Sequence, residues 1–181
     1  MKKYTITLLI LLTTAYSCLI MAFTPTELHS PTGYWLTIDD KSHQPRAVVQ
    51  IFQVNTTKGI RLRGKTIAAF YLPHQSWRKK CTGCIKPWTD KVIKGLTFMY
   101  GYQKSGANWD APWVNGYVFD ISSSSKIYKS KIWLIDDGKK LKLRGYVLFF
   151  YRTQTWLRLT AAEVSKYIKI SNEDMIKHPP A

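Results

Sequence analysis

Short strand-like segments separated by turn residues run through most of the chain, and this pattern constrains the fold more than any other feature. In these segments apolar, β-branched and aromatic residues alternate with polar ones, which is typical of half-buried strands. They lie at residues 33–38, 47–54, 60–69, 96–100, 113–119, 127–135, 140–149 and 154–160. No helical period between them is long enough to form a parallel crossover. The sequence therefore predicts an all-β domain of about eight antiparallel strands.

Two architectures suit such a strand pattern, a sandwich and an up-and-down barrel. A barrel removes exposed strand edges, and eight strands leave an interior that side chains fill or that holds one small ligand. We expect a single antiparallel β-barrel within residues 23–162. A short helix at residues 161–168 is expected to lead into a C-terminal tail that spans residues 163–181.

The first 22 residues have the layout of a secretory signal peptide. Lys2 and Lys3 precede an apolar run at residues 6–12, and a stretch of small and polar residues ends at Ala22. The apolar run is too short for a membrane span of about 20 residues. Cys18 lacks the aliphatic residue three positions earlier that a lipoprotein signal carries. We expect a periplasmic or secreted protein without a lipid anchor or a transmembrane span after cleavage.

The charge of the chain favours anionic partners. The formal net charge is +16, which attracts lipid headgroups, surface polysaccharide or acidic ligands. An exported protein with no RNA-binding consensus and no helical basic face is not expected to bind nucleic acid. A high charge also maintains solubility, so that interpretation stays open.

The acidic and histidine residues give little support to an enzyme. The glutamates are Glu27, Glu163 and Glu173, so the whole predicted barrel from residue 28 to residue 162 contains none. Its aspartates mostly adjoin turn residues, where their side chains bond to the backbone, so a glycosidase-like carboxylate pair is poorly supported. The histidines fall in loops or tails, and no G-x-S-x-G motif accompanies them. We expect no catalytic residue, no cofactor and no metal.

Cys81 and Cys84 form a C-x-x-C motif with four interpretations. Haem attachment requires a histidine next, but Ile85 follows, so that interpretation is excluded. A thioredoxin-like site requires the cysteines to open a helix after a strand, whereas Pro87 follows closely. A metal site requires more ligands, and His74 is the nearest candidate. A structural disulfide is favoured over the redox and metal alternatives.

The long segment around these cysteines interleaves cations with aromatic rings. Such a loop is able to hold an anionic headgroup or to lie at a membrane surface, with its tryptophans stacking on the partner. The alternative is a solvated loop whose aromatics fold back onto the barrel rim. The candidate residues are Trp77, Arg78, Lys79, Lys80, Lys86 and Trp88.

Several collinear segments resemble the exported bacterial proteins grouped as the domain of unknown function DUF2147. They are Gly-Tyr-Trp at 33–35 with Asp39 and Lys41, Pro-Arg-Ala-Val-Val at 45–49, Cys-Thr-Gly-Cys at 81–84, Ile-Lys-Gly-Leu at 93–96, Leu-Lys-Leu-Arg-Gly-Tyr at 141–146 and Arg-Thr-Gln-Thr-Trp-Leu-Arg at 152–158. The chain departs from the family pattern at residues 118–121, where a serine run follows instead of a glycine-rich segment, and residues 146–151 are bulkier than usual. The resemblance implies a periplasmic barrel similar to the lipocalin and streptavidin-like folds, and it implies no reaction.

The first and last strands supply candidates for closing the barrel. Gly33 lets the chain bend across the barrel floor, Trp35 follows in the first strand, and Arg158 lies in the last strand. Because an up-and-down barrel pairs these two strands, we expect the Arg158 guanidinium to stack on the Trp35 ring. The alternative is that Trp35 is an ordinary core residue and Arg158 is exposed.

Aromatic residues at strand spacing are expected in the barrel interior, as core or as the lining of a pocket: Trp109, Trp113, Tyr117, Trp133, Tyr146, Phe149 and Trp156. We expect a non-enzymatic binding protein for a small apolar, amphipathic or anionic envelope ligand. A structural or stress-related envelope protein with a filled barrel is the alternative, and an envelope enzyme ranks third.

We predict that an export signal is cleaved near Ala22. Because the apolar run fits a signal and not an anchor, the chain recovered from the periplasm or medium should have lost residues 1–22. Intact-mass measurement and N-terminal sequencing check this. An intact N-terminus on membrane-bound protein would contradict it.

Overall fold

A computed structural model describes residues 25–74, 78–121 and 126–180. Its eight antiparallel strands form a closed barrel in chain order, which confirms the predicted fold class. The elements are α1 Pro25–Leu28, β1 Gly33–Ile38, β2 Pro45–Thr56, β3 Gly59–Ala69, β4 Thr97–Lys104, β5 Trp113–Phe119, β6 Ile127–Ile135, β7 Lys140–Val147, β8 Phe150–Leu159 and α2 Ala161–Lys177. The predicted signal peptide and Cys18 lie outside the described residues.

Side-chain alternation along the strands builds the barrel core. In β6, Ile132 and Leu134 are buried inside, whereas Trp133 between them points outward and lies under the ammonium of Lys131. Residues from all eight strands contribute to the interior cluster, which consists of Trp35, Val49, Ile51, Leu62, Met99, Tyr102, Trp113, Ile132, Leu134, Leu141, Leu143 and Trp156. Burial of this apolar surface stabilises the barrel.

The expected set of interior aromatics is correct for two residues and wrong for the others. Trp113 and Trp156 are buried in the barrel. Trp109, Tyr117 and Phe149 are exposed. Trp133 and Tyr146 are half-buried. Trp109 and Phe149 lie outside the strands, in the connections before β5 and before β8. For the residues within strands, aromatic content alone does not fix which face a residue occupies, because a shift of one position exchanges the faces.

The predicted strand boundaries differ most from the structure at the turn between β7 and β8. The sequence favours one strand through residues 140–149, but β7 ends at Val147 and a two-residue turn, Leu148 and Phe149, leads directly into β8. Turns of this kind usually contain glycine, asparagine or aspartate, and this one contains none of them.

Helix α2 is longer than the expected short helix and occupies most of the expected tail. It begins at a capping box in which the Thr160 hydroxyl accepts from the Glu163 N–H and the Glu163 carboxylate accepts from the Thr160 N–H. Its Val164 packs on an outer cluster formed with β1, β2 and β3. The Ser171 hydroxyl donates to the carbonyl of Ala69 at 2.7 Å. These contacts continue the helix past residue 168 because its apolar face has a partner surface.

The first and last strands pair and close the barrel. In the register of β1 with β8, Trp35 lies opposite Arg158. The guanidinium carbon of Arg158 lies 4.3 Å from the centroid of the Trp35 ring. The structure therefore brings together the pair singled out from the sequence. We call this end of the barrel the closed end and the opposite end the open end.

Arg158 also holds the segment that crosses the closed end. Its guanidinium donates to the carbonyls of Ser30 at 2.7 Å, Thr32 at 3.0 Å and Leu28 at 3.4 Å, and its Nε donates to Gly138 at 2.7 Å. Burial lowers the pKa of Arg158 to about 10 and Glu27 opposes that shift, so the group stays charged at neutral pH. One cation thus satisfies four backbone acceptors from two loops.

Two glycines make this approach geometrically feasible. Gly33 has a φ of +120°, a conformation that side-chain-bearing residues rarely adopt. A Cβ on Gly138 would lie 1.9 Å from the carbonyl oxygen of Leu28. The turn between β6 and β7 therefore requires glycine at position 138 for a packing reason as well as for its positive φ.

We predict that closure of the barrel depends on the stacked pair. Trp35→Ala should lower the free energy of unfolding by about 3–5 kcal/mol, mainly because it removes a buried ring. Arg158→Lys should cost less, about 2–3 kcal/mol, because one ammonium cannot reach all four carbonyls. Urea unfolding measures both.

The control for this prediction is Arg63→Lys on the exposed face of β3, which should change stability by less than about 0.5 kcal/mol. Equal costs for the two arginine substitutions would contradict the role assigned to Arg158.

Candidate ligand-binding cavity

A cavity of about 380 Å³ opens into the barrel at the open end. All eight strands contribute the end that lies at the open end of the barrel. These are the last residues of β1, β3, β5 and β7 and the first residues of β2, β4, β6 and β8. Its lining includes Thr37, Ala47, Val49, Thr66, Phe98, Val118, Phe119, Tyr128, Leu143, Gly145, Gln154 and Trp156. The volume lies within the range of small-molecule sites.

The deep part of the cavity is apolar. Val49, Leu143 and Trp156 belong both to the cavity lining and to the barrel core, so the core forms the cavity floor. The Nε1 of Trp156 donates to the Gln154 side-chain oxygen at 3.3 Å, which fixes the indole against the wall. A ligand that reaches this depth contacts hydrocarbon and aromatic surface.

The rim of the cavity carries three arginines from three different parts of the chain. Arg46 is the second residue of β2, Arg78 belongs to the long β3–β4 loop, and Arg152 lies near the start of β8. Arg152 forms an exposed ion pair with Asp40. Among the described residues, the side chain of Arg46 has no hydrogen-bond or ion-pair partner. The rim therefore presents guanidinium groups to whatever enters.

Arg78 is held at the rim by backbone acceptors. It donates to the carbonyl of Thr82 at 2.5 Å and to that of Ile121 at 3.1 Å. Thr82 lies within the C-x-x-C motif, where Cys81 and Cys84 form a disulfide with Cα atoms 5.5 Å apart. The cross-linked loop thus presents a fixed acceptor for Arg78, and a guanidinium with five donors retains others for a ligand.

The structure divides the predicted basic loop into an exposed and a buried part. Lys79, Lys80 and Lys86 are exposed, whereas Trp88 is buried and stacks on Phe119 with ring centroids 4.2 Å apart. The Trp88 Nε1 donates to the carbonyl of Thr97 at 2.9 Å. Of the two interpretations of the loop aromatics, Trp88 follows the one in which the ring folds back against the barrel, where it packs with the disulfide. Trp77 lies outside the described residues.

Sequence reasoning missed three of the polar residues at the cavity. The sequence interpretation included Arg46, Arg152 and Gln154 only as members of the segments that resemble a family, and it gave them no binding role. Arg152, Gln154 and Trp156 alternate along β8 and line the same cavity, so the period of two in this strand is the signal that could have found two of them. Arg46 carried no such signal, because it falls outside the alternation of Ala47 and Val49, the other lining residues of β2.

Asp39 organises the β1–β2 loop beside the rim. Its carboxylate accepts from the N–H groups of Lys41 at 3.1 Å and Ser42 at 2.8 Å, and from the Ser42 hydroxyl at 3.0 Å. The Nε2 of His74 lies 3.1 Å from the same oxygen. Burial raises the pKa of Asp39, but these hydrogen bonds and His74 outweigh it and lower the pKa to about 2.

Comparison with known proteins identifies the family. The model of DUF2147, described as an uncharacterized protein conserved in bacteria, matches residues 33–158. The chain belongs to the DUF2147 family. The matched region runs from the glycine that opens β1 to the arginine that closes the barrel and includes every residue of the cavity lining.

No curated protein and no solved structure matches the chain. Within the described part of this DUF2147 protein, no three histidine, cysteine, aspartate or glutamate residues group as metal ligands do. No described helix combines the length and the hydropathy needed to cross a membrane.

We predict an acid-dependent contribution of Asp39 to stability. Because its pKa is lowered on folding, the contribution is present above the usual pKa of 3.8 and is lost as the pH falls through about 2. Asp39→Asn should cost about 1–2 kcal/mol at pH 6, and the gap to the unsubstituted protein should narrow between pH 4 and pH 2. Urea unfolding across this range measures the gap.

The control is Asp137→Asn in the exposed β6–β7 turn, which should change stability at pH 6 by less than about 0.5 kcal/mol. A gap for Asp39→Asn that stays constant down to pH 2 would contradict the role of the carboxylate.

Proposed function

We propose that this protein is a non-enzymatic binding protein that holds a small amphipathic anion in the open end of its barrel. The observation that carries the proposal is a cavity of about 380 Å³ with an apolar floor and three arginines at its rim. An apolar ligand body would pack on Val49, Leu143 and Trp156, and this burial supplies most of the driving force. The anionic end would remain at the rim.

The rim suits a carboxylate or phosphate group. A guanidinium binds such groups through two parallel hydrogen bonds, which also orient the ligand. Arg152 directs its Nε and one terminal nitrogen to the same oxygen of Asp40, so its other terminal nitrogen is outside that ion pair. Arg46 adds a second cation with no partner among the described residues. The proposed anionic group would therefore lie between β2 and β8.

The predicted compartment agrees with this function. We propose that the chain is exported after cleavage near Ala22, so its ligand would be a component of the cell envelope or of the surrounding medium. Amphipathic anions such as fatty acids and lipid fragments are the chemical class that fits both the apolar floor and the cationic rim. The described lining residues supply binding groups for both parts of such a molecule.

We predict that dodecanoate binds and that 1-dodecanol binds more weakly. The two probes share the hydrocarbon chain, so the difference reports the arginines, and loss of a charged hydrogen bond should weaken binding about 10–100-fold. Arg46→Gln with Arg152→Gln should remove this preference, while Arg63→Gln on the exposed face of β3 should keep it. Isothermal titration calorimetry measures both affinities.

A cavity-filling variant tests the location of the apolar part. Gly145 lines the cavity, and an added Cβ there would lie 3.8 Å from the nearest atom, the Cβ of Tyr128. Gly145→Leu therefore has room to point into the cavity and should block both probes without unfolding the barrel. Failure of both probes to bind the unsubstituted protein would contradict the proposal and favour a filled-barrel envelope protein that acts through its surface.

A further inference from the structure

The tip of the β7–β8 hairpin exposes a continuous run of apolar and aromatic side chains. The exposed fractions are 49% for Val147, 90% for Leu148, 97% for Phe149, 77% for Phe150 and 61% for Tyr151. Soluble proteins rarely leave such a run in water, and large exposed apolar patches mark interaction sites. We name residues 147–151 the hairpin tip, and its exposed apolar surface indicates an interaction site.

The composition of the turn also indicates that the tip is an interaction site. Val147 pairs with Phe150, so Leu148 and Phe149 alone form the turn, and Leu148 has a φ of +52°. Glycine adopts that conformation without steric cost, whereas a large side chain does so rarely. A conformational outlier of this kind supports a functional hypothesis, because the residue at this position is not the one that best forms the turn.

The hairpin tip lies at the rim of the cavity, among the cationic loops. Val147, the first residue of the tip, and Arg152, which directly follows the tip, both line the cavity. The inter-strand loops at the open end contain eight cationic residues and four carboxylates, namely Lys41, Arg78, Lys79, Lys80, Lys86, Lys91, Lys94 and Lys126 against Asp39, Asp40, Asp90 and Asp120. The loops at the end that carries the apolar tip therefore have a net positive charge.

The closed end has the opposite balance. Its inter-strand loops contain Lys58 and Lys139 against Asp110, Asp136 and Asp137. The positive charge of the loops is thus concentrated at the end that also carries the apolar tip. Apolar side chains ringed by cations match an anionic lipid surface, where the former enter the interface and the latter meet the headgroups.

We propose that the open end docks on an anionic lipid surface, with Leu148, Phe149 and Phe150 inserted at the level of the headgroups. Behind the tip, the Arg144 guanidinium lies 4.0 Å from the centroid of the Tyr151 ring and donates to the Thr153 hydroxyl at 2.9 Å. Tyrosine beside arginine suits the polar side of a membrane interface. The docking does not depend on the proposed ligand, but it would place the cavity mouth against the lipid.

The decisive variant removes the apolar tip and improves the turn. Leu148→Gly with Phe149→Ser supplies residues that a two-residue turn with a positive φ at its first position prefers, so the melting temperature should stay the same or rise. Sedimentation with vesicles of phosphatidylglycerol and phosphatidylcholine measures the partition coefficient, which we expect to fall at least about tenfold. Ile60→Ser is the matched control, because Ile60 is 49% exposed and lies at the start of β3, beside the closed-end turn at residues 57–58.

Charge reversal tests the second component of the surface. Lys79→Glu with Lys80→Glu should weaken binding to phosphatidylglycerol vesicles at least about tenfold at low salt, because each cation near an anionic surface contributes. Lys58→Glu with Lys139→Glu at the closed end should have little effect. Vesicles of phosphatidylcholine alone should bind the unsubstituted protein weakly.

Two results would overturn the proposal. One is a partition coefficient that the tip variant leaves unchanged while the protein remains folded. The other is self-association of the unsubstituted protein through the tip. Analytical ultracentrifugation would then show a change of oligomeric state in the tip variant, while its binding to vesicles would stay unchanged.

Discussion

The pairing of β1 with β8, at which the Arg158 guanidinium stacks on the Trp35 ring, closes the barrel, and the rest of the barrel depends on that closure. Without it β1 and β8 would each present an unpaired edge, a surface prone to association. The stacked guanidinium also binds carbonyls of the segment that crosses the closed end and of the β6–β7 turn. A single side chain thus couples strand pairing to the covering of one end, and the cavity with the three arginines opens at the other end.

The two ends of the barrel use their polar groups differently. At the closed end the cation is buried and its donors are directed at backbone carbonyls. At the open end Arg46 and Arg152 are in contact with the cavity and with solvent, and Asp40 meets only part of the Arg152 guanidinium. Arginine therefore serves structure where it is enclosed by backbone and is suited to recognition where an apolar cavity lies beside it. This difference in surroundings supports the binding role that we propose for the open end.

The sequence predicted the features that local rules determine. Strand segments, the β6–β7 turn and the partnership of Trp35 with Arg158 follow from a period of two and from the topology of an up-and-down barrel. The burial of Trp88 did not, because its partner Phe119 lies in another strand and only the folded loop brings the rings together. The length of α2 depended on a partner surface on β1 to β3, and the turn at Leu148 was missed because it lacks turn residues. The cavity rim combines residues from separate parts of the chain, so no single segment of the sequence predicted it.

The even number of strands has a consequence for how the barrel is oriented relative to the segment that precedes it. Because eight strands alternate in direction, the first strand begins and the last strand ends at the same end, and the Leu28 segment that leads into β1 lies at that closed end. If a leader precedes the barrel in the membrane, as we propose, it tethers the closed end and keeps the cavity pointed away from the bilayer. Removal of the leader then allows the molecule to rotate and present its cavity to lipid. Strand parity alone would thus link proteolytic processing to the face that the protein turns toward a membrane.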